Sequence, residues 1–445
     1  MFQRILIANR GEIALRIIRA SHELNVEVVC VFSEEDRGAG YLEFADHAIC
    51  IGGSAPRDSY LKSDRIIAAA EVSRADAIHP GYGFLAENAA FAEMCRACNI
   101  EFIGPNAESM KTLGDKAAAR SVAKKARVPI VPGSDGILED DNETLAIAKK
   151  IGFPLMIKAS AGGGGRGMRI VQDRTDLLGA LKQAKQEADG AFKSSDVYME
   201  KFIERPRHVE VQLIADKHGT VLHLGERDCT VQRRYQKLIE ESPSPGIESR
   251  TRSDLCSAAV KLAKTAGYDS AGTVEFLVDS KGKYYFIEVN TRIQVEHPVS
   301  ELTTGIDLIK SQIRVAAGEK LGFSQKNIKP RGHAIECRIN AEDPDEQFRP
   351  CAGLIEKFRV PGGPGVRIDT HGYQGMRLSP KYDSLLAKVL VWQPTRPAAI
   401  RCMQRTLDEF QIEPLKTTLP FLRKVLAHAD FASGAIDTSF VERTF

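Results

Sequence analysis

The hydrophobic pattern opens on short apolar runs separated by helical periodicity. Residues 4–8 (RILIA) predict a buried strand, "NRGE" turns the chain, and residues 13–24 carry apolar positions at helical spacing. Residues 26–32 (VEVVCVF) then read as a strand buried on both faces. "DAIHPGYGFLAEN" repeats the theme, with a strand ending near His79 and a helix beyond a glycine-rich turn. Such alternation predicts a parallel sheet with right-handed crossovers. Only Gly11 stands where a dinucleotide fingerprint would need GxGxxG, so that motif is absent from the first unit.

From about residue 130 the pattern changes. "VPIVPGSDG" is a Pro/Gly-rich junction, followed by a helix-patterned stretch, the strand "FPLMIKAS", a glycine-rich loop, the strand "MRIV", a helix and the strand "DVYMEKFI". Residues 204–330 are richer in alternating strands, including "RHVEVQLIAD" and "GTVEFLVDSKGKYYFIEVN". The C-terminal stretch begins with the strand-like "GHAIECRINAE" and carries a helix over 397–410. No internal repeat is present.

A chain of 445 residues holds about two to four domains. With 43% hydrophobic and 27% charged residues it has the ordinary globular balance, which excludes disorder and fibrous repeats. Sixty-one basic against 59 acidic residues argue against a nucleic-acid or anionic-membrane binder. No apolar run approaches the roughly 18 residues of a membrane span. Arg4, Arg10 and Glu12 break the N-terminal apolar stretch, so it is not a signal peptide, and a cytoplasmic protein is expected. The nine scattered cysteines predict reduced thiols. Cys95 and Cys98 form a lone CxxC whose spacing suits one helix face better than a zinc site, which needs more ligands.

The loop "AGGGGRGMR" (161–169) contains GxGxxG, yet "MRIV" continues as a strand where a dinucleotide fold would open a helix. Strand, glycine turn and strand describe a hairpin flap whose bare backbone N–H groups close over phosphates, with Lys158 as a phosphate-binding cation. A second hairpin, "TVEFLVDSKGKYYFIEVNTR", carries the strongest local signal. If Lys281–Gly282 is a two-residue turn, residue 280 pairs with 283 and Glu275 sits opposite Glu288, Cβ atoms about 5 Å apart. Like charges there are unfavourable unless a divalent cation shared with substrate phosphates lies between them. Period two puts Glu288, Asn290 and Arg292 on one face and Ile287, Val289 and Thr291 on the other. Arg292 offers a planar fork for a small oxyanion, and Glu296 beside it can act as a general base. His208 shares a strand face with Glu210 and Gln212. Lys237 lies in "RDCTVQRRYQKLIEES", read as a basic loop that is either solvated or a mobile anion clamp. Arg338 shares a face with Glu336 and Asn340, where a buried ion pair is the default reading.

Together these stretches resemble the biotin carboxylase component of biotin-dependent carboxylases, a branch of the ATP-grasp superfamily. The resemblance covers essentially the whole chain and rests on "ILIANRGEIALRIIRA", "HPGYGFLAEN", "KASAGGGGRGMR", "RHVEVQ", "FIEVNTRIQVEHPVSE" and "HAIECRINAED". It implies an α/β fold, α+β overall: a Rossmann-like N-terminal domain (1–114), an ATP-grasp lid and central domain (115–330, with a mobile lid about 131–203) and a biotin carboxylase C-terminal domain (331–445). Lys116, Lys158, Gly164, Gly165 and His208 are implied to contact ATP, and Glu200, Lys201, Phe202 and Ile203 to hold adenine. Glu275 and Glu288 would bind magnesium or manganese at two metal sites, assisted by Asn290, and also count among the ATP contacts. Arg292, Gln294 and Val295 would hold bicarbonate, with Glu296 as base. Lys237 and Arg338 would bind bicarbonate or the biotin ureido group, with Tyr82 near the biotin ring. Arg292, Glu296, Lys237 and Arg338 are the implied catalytic set.

The implied reaction runs through carboxyphosphate to carboxybiotin, with closure of the glycine flap excluding water. Tyr235 stands where many members of the family have His, and Pro364 lies in a region that helps form the dimer in some of them. The Met-Lys-Met attachment signature is absent, so biotin is expected as a substrate on a separate carrier protein, with carboxyltransferase subunits separate as well and this chain a homodimer. The length resembles the acetyl-CoA carboxylase subunit serving fatty acid synthesis, while carboxylases for other acyl-CoAs, pyruvate or urea share the module. Two rival readings share the flap and the glutamate pair: an ATP-grasp ligase joining a carboxylate to an amine, and a non-catalytic nucleotide-binding regulator. Arg292, Gln294, Glu296 and Arg338 separate the first from a bicarbonate site, and bicarbonate-dependent turnover separates the second.

Overall fold

The computed structural model describes residues 1–134, 136–159, 168–192 and 194–445. The first unit is a five-stranded parallel sheet in the order His47–Cys50, Glu27–Phe32, Arg4–Ile7, Ala77–His79, Glu101–Phe102. Strand order reverses beside Arg4–Ile7, the kind of switch point at which open α/β sheets place ligands. Asn9 spans that point, its Nδ2 donating to the carbonyls of Pro80 and Tyr82 at 2.7 Å each. The helix Gly11–His22 follows, and Gly11 enters it at φ +65°, which a Cβ would oppose. Its apolar stripe, including Ile13, Ile17 and Ile18, is sealed into a core shared with Ile214, Ala271, Ile309 and Ile313 of the next unit. At about 1.5–3 kcal/mol for each such side chain, that shared core holds the two units together.

The helix Ala89–Ala97 starts at Asn88, whose side chain accepts from the Phe91 N–H at 3.0 Å. Cys95 is buried among apolar side chains, and neither Cys95 nor Cys98 belongs to a metal-competent cluster among the described residues. A three-stranded antiparallel sheet, Met168–Val171, Leu155–Ala159 and Val197–Lys201, packs on the helices Asp141–Ile151 and Leu177–Phe192. Lys158 pairs with Met168, the pair of this hairpin nearest residues 160–167.

One eight-stranded antiparallel sheet carries most of the rest, beside three two-stranded pairs. Its order is Tyr284–Asn290, Ser270–Val278, Arg207–Ala215, Val221–Arg233, Gln236–Ser242, His333–Asn340, Leu385–Gln393, Val366–Thr370. The strands Gln236–Ser242 and His333–Asn340 pair directly, so the sheet continues across residue 330. Its outer face packs on the helices Arg396–Glu409 and Leu419–Ala427 through Ile335, Cys337, Val389, Met403, Leu407 and Leu422.

Two local expectations need correction. Residues 279–283 form a longer turn, in which Asp279 Oδ1 accepts from the N–H groups of Lys281 and Lys283 at 2.9 Å each, and Val278 pairs with Tyr284. A β-bulge at Ile287 then moves the register by one residue, so Glu275 stands opposite Glu288 after all. The same bulge turns Ile287 into the cleft beside Glu288, away from the face expected for it. Lys237 likewise lies in a strand, Gln236–Ser242, rather than in a loop; the loop is only the two-residue turn Arg234–Tyr235, both at positive φ.

Candidate active site

A cleft of about 1890 Å³ runs between the three sheets. Every expected site residue among those described lines it: Tyr82, Lys116, Lys158, Glu200, Lys201, Phe202, Ile203, His208, Lys237, Glu275, Glu288, Asn290, Arg292, Gln294, Val295, Glu296 and Arg338. Gly164 and Gly165 lie outside the described residues.

Period two along adjacent strands builds the floor. His208 and Glu210 share a strand face, Glu210 pairs with Glu275 on the next strand, and Lys237 reaches the same patch from the other side. Lys237 Nζ donates to Glu210 at 2.7 Å, Glu275 at 3.0 Å and Glu296 at 2.6 Å. Arg338 donates to Glu240 at 2.6 Å through Nε and to Glu296 at 2.8 Å through Nη2. Burial pushes the Glu296 carboxyl up, but Lys237 and Arg338 outweigh it and hold the group well below the usual carboxylate range.

Glu275 is saturated on one side. Its Oε1 accepts from Lys237, from Asn290 at 2.9 Å and from Gln294 at 3.0 Å, while Oε2 accepts from His208 at 2.7 Å. Burial raises its pKa, and Lys237 and His208 overcome it, leaving the group well below its ordinary value. Glu288 faces it across the strands and is pushed up by burial and by the charge of Glu275. A divalent cation shared with substrate phosphates would remove that repulsion, so the Glu275 and Glu288 carboxylates fit a magnesium-type ion. The amide of Asn290 turns its nitrogen to Glu275 and its oxygen to Arg292, 3.1 Å away.

At the far wall Lys158 donates to Glu200 at 2.6 Å and Arg120 is also paired with that carboxylate. Burial lowers the Lys116 pKa, against the pull of Glu288. Lys201 directs Nζ to the carbonyls of Phe153 and Gly152, at 2.5 and 3.2 Å. Arg292 is not a free fork: Nε donates to Glu87 at 3.0 Å and Nη1 to the Ile293 carbonyl at 3.2 Å.

Two residues that position this site lie within quoted stretches without being singled out there, Arg227 at the start of "RDCTVQRRYQKLIEES" and Glu87 in "HPGYGFLAEN". Arg227 is fully buried and donates to Glu210, Gln212, Ser300, Thr273 and Gln294 at 2.5–3.2 Å. Glu87 accepts from the Thr291 N–H at 3.1 Å as well as from Arg292. The available signal for Arg227 is "GERDC", a charged run inside a strand pattern, which the neighbouring "QRRYQK" overshadows.

The chain matches three family models: the biotin carboxylase N-terminal domain over residues 1–110, the carbamoyl-phosphate synthase L chain ATP-binding domain over 115–324, and the biotin carboxylase C-terminal domain over 336–443. It is 53% identical to a biotin carboxylase of Nostoc over 441 residues, 99% of each chain. It is 50% identical to a pyruvate carboxylase subunit of Methanothermobacter thermautotrophicus over 442 residues, 99% of this chain and 90% of the other. Its backbone resembles that of a Campylobacter jejuni biotin carboxylase solved in complex with an ATP analogue, with TM-score 0.97 and 49% identity over 100% of this chain and 99% of that one. It likewise resembles the biotin carboxylase domain dimer of a Hydrogenobacter thermophilus 2-oxoglutarate carboxylase, solved with MgADP and bicarbonate, at TM-score 0.96 and 49% identity over 100% and 98%.

Proposed function

Because this chain belongs to the biotin carboxylase family of ATP-dependent ligases, we propose that the cleft carboxylates biotin on a separate carrier protein, using bicarbonate and MgATP. The observation that carries the reading is Glu296, buried and bridged by Lys237 at 2.6 Å and Arg338 at 2.8 Å. A carboxylate held far below its ordinary pKa is a weak base. Bicarbonate entering between the same cations and Arg292 competes for those donors, and each bond it takes from Glu296 makes that carboxylate more basic.

Glu296 then takes the bicarbonate proton. The freed oxygen attacks the γ-phosphorus of ATP, the bond to the β-bridging oxygen breaks, and carboxyphosphate and ADP result. Carboxyphosphate separates into CO₂ and phosphate, the phosphate takes the biotin N1′ proton, and the enolate oxygen is stabilised by Arg338 while N1′ captures CO₂. Lys116, Lys158 and His208 face the phosphates, the strand end Glu200–Ile203 faces adenine, and Tyr82 faces the biotin ring. Glu275 and Glu288, with Asn290 beside them, would hold magnesium or manganese, which when bound neutralises charge on the transferring phosphates.

The chain falls into three functional parts on this reading, 1–114, 115–330 with its lid at about 131–203, and 331–445. It works as a homodimer beside carrier and carboxyltransferase subunits, in the cytoplasm. The Hydrogenobacter relative's dimer supports the first point. No helix among the described residues is long and apolar enough to cross a membrane. Acetyl-CoA, and with it fatty acid synthesis, is the acceptor we favour. Relatives named biotin carboxylase match at 49–53% identity and those named for pyruvate or 2-oxoglutarate at 49–50%, so identity alone does not separate the acceptors. Assays with a carrier and each carboxyltransferase decide between acceptors.

The decisive test is ADP release from MgATP with bicarbonate and free biotin omitted in turn, beside Glu296→Gln. Release that needs bicarbonate, rises with biotin and vanishes in the variant supports the reading. Release indifferent to both returns the site to an amide-forming ligase, and tight ATP binding without release returns it to a regulator.

A further inference from the structure

Lys388 carries a fully buried ammonium group that the reaction just described does not use. It sits on the strand Leu385–Gln393, where its Cα partner on His333–Asn340 is Arg338. Cross-strand partners project from the same sheet face, so two cations in register point toward the same segment. Arg338 reaches the carboxylate of Glu296 at 2.8 Å, and Lys388 Nζ donates to the carbonyl of Val295 at 3.0 Å. The second contact of Lys388 is Glu12 Oε1 at 3.2 Å, in the first helix of the N-terminal unit. The Tyr82 hydroxyl donates to that same Glu12 oxygen. Asp369 lies farther away, at 3.9 Å, and is already held by Arg367 through two bonds of 2.9 and 2.7 Å. Glu12, Tyr82 and Val295 all line the cleft.

An ion pair with Glu12 alone would be an ordinary buried tie between two units. The bond to Val295 goes further, because residues 292–296 have no ladder partners and carry Arg292, Gln294 and Glu296. A backbone carbonyl in an irregular segment, fixed by a buried charge, fixes the peptide plane it belongs to, here the one that joins Val295 to Glu296. We infer that Lys388 is a positioning residue: through Val295 it sets the bicarbonate-side segment, through Glu12 it sets the Tyr82 hydroxyl on the biotin side, and so it holds the two substrates' loops in mutual register. The inference rests on the proposed reaction and adds a residue that touches neither substrate.

The test is steady-state kinetics of the full chain with free biotin, for Lys388→Met, Tyr82→Phe and the double variant, with MgADP binding measured alongside. Loss of mutual positioning costs on the order of ten- to a hundred-fold in kcat/KM for bicarbonate and biotin. MgADP affinity stays within about two-fold, because the bonds that Lys237, Asn290 and His208 make to Glu275 do not pass through Lys388, Glu12 or Tyr82. The two substitutions are expected to be non-additive in the biotin term, since both act through Glu12. A folded Lys388→Met with parental bicarbonate and biotin kinetics overturns the inference, as does strict additivity. If Lys388→Met does not fold, Glu12→Gln carries the test: it keeps the side-chain shape, and unchanged biotin kinetics there overturn the inference equally. A parent chain without bicarbonate-dependent turnover fails the functional reading and takes the inference with it, whereas an active parent with an indifferent variant fails the inference alone.

Discussion

At Arg227 a complete guanidinium charge lies out of contact with water, and every one of its polar atoms has a protein partner. It makes possible the dense carboxylates beside it, since Glu210 would otherwise be a buried anion with only Lys237 to share among three glutamates. Arg227→Met leaves Glu210 short of a counter-charge, and we expect a loss of about 3–5 kcal/mol in urea unfolding. Glu336 is the opposite case. Both its oxygens are buried without a hydrogen-bond partner among the described residues, and Glu240, another buried carboxyl, is its cross-strand neighbour. Burial pushes the Glu336 carboxyl well above its usual value of 4.5, against the pull of Lys388. The unfolded chain therefore releases that proton first, the folded state holds one proton more, and stability falls as pH rises from about 4.5 until the folded group itself ionises. Glu336→Gln removes this slope. Unfolding free energies between pH 5 and 8 should show the variant gaining on the parent as pH rises. A difference that is flat in pH would mean the carboxyl is already ionised in the folded protein.

The hairpin 270–290 shows what element-scale reading can and cannot recover. Alternation places Glu275 and Glu288 face to face, and they are. The turn escapes such a reading because Lys-Gly carries little turn preference, while the actual determinant, Asp279 accepting from two N–H groups, is a side-chain contact that spacing does not display. The bulge at Ile287 leaves no compositional mark either, and only because it offsets the longer turn does the glutamate pairing survive. The strand carrying Lys237 is hidden for a related reason. Arg233, Arg234 and Tyr235 read as part of a basic loop, solvated or an anion clamp, and the chain needs just two of its residues, at φ +46° and +65°, to reverse direction. Asp279→Ala removes both turn bonds at the end of the hairpin away from the site. It should cost about 1 kcal/mol, seen as a lowered Tm, with MgADP affinity unchanged, since Glu275 and Glu288 keep their register through the bulge and the strand pairs on either side.

On the scale of the molecule, strand-and-helix alternation makes the parallel N-terminal sheet legible, and the quoted motifs make the family legible. How the units meet is not, because inter-unit contacts come from residues far apart in sequence whose neighbours carry no periodic signal. Glu87 is the clearest instance. It sits two residues before the helix Ala89–Ala97, inside a motif that reads as a turn, and nothing near it in sequence suggests a partner more than 200 residues away. Yet one oxygen takes the Thr291 N–H and the other takes Arg292 Nε, so the N-terminal unit fixes both the backbone and the guanidinium of the segment that leads to Glu296. The carboxylate is partly exposed, and its electrostatic contribution to folding is accordingly small. Its effect belongs to orientation. Glu87→Gln keeps an acceptor for one of the two donors and loses the charge that holds the fork, freeing Arg292 to rotate away. We expect the KM for bicarbonate to rise by roughly three- to ten-fold, with Tm within about 2 °C of the parent and MgADP affinity intact. Equal losses in all three would instead make Glu87 a simple tie between units, because a contact that only holds the fold together has no reason to distinguish bicarbonate from nucleotide.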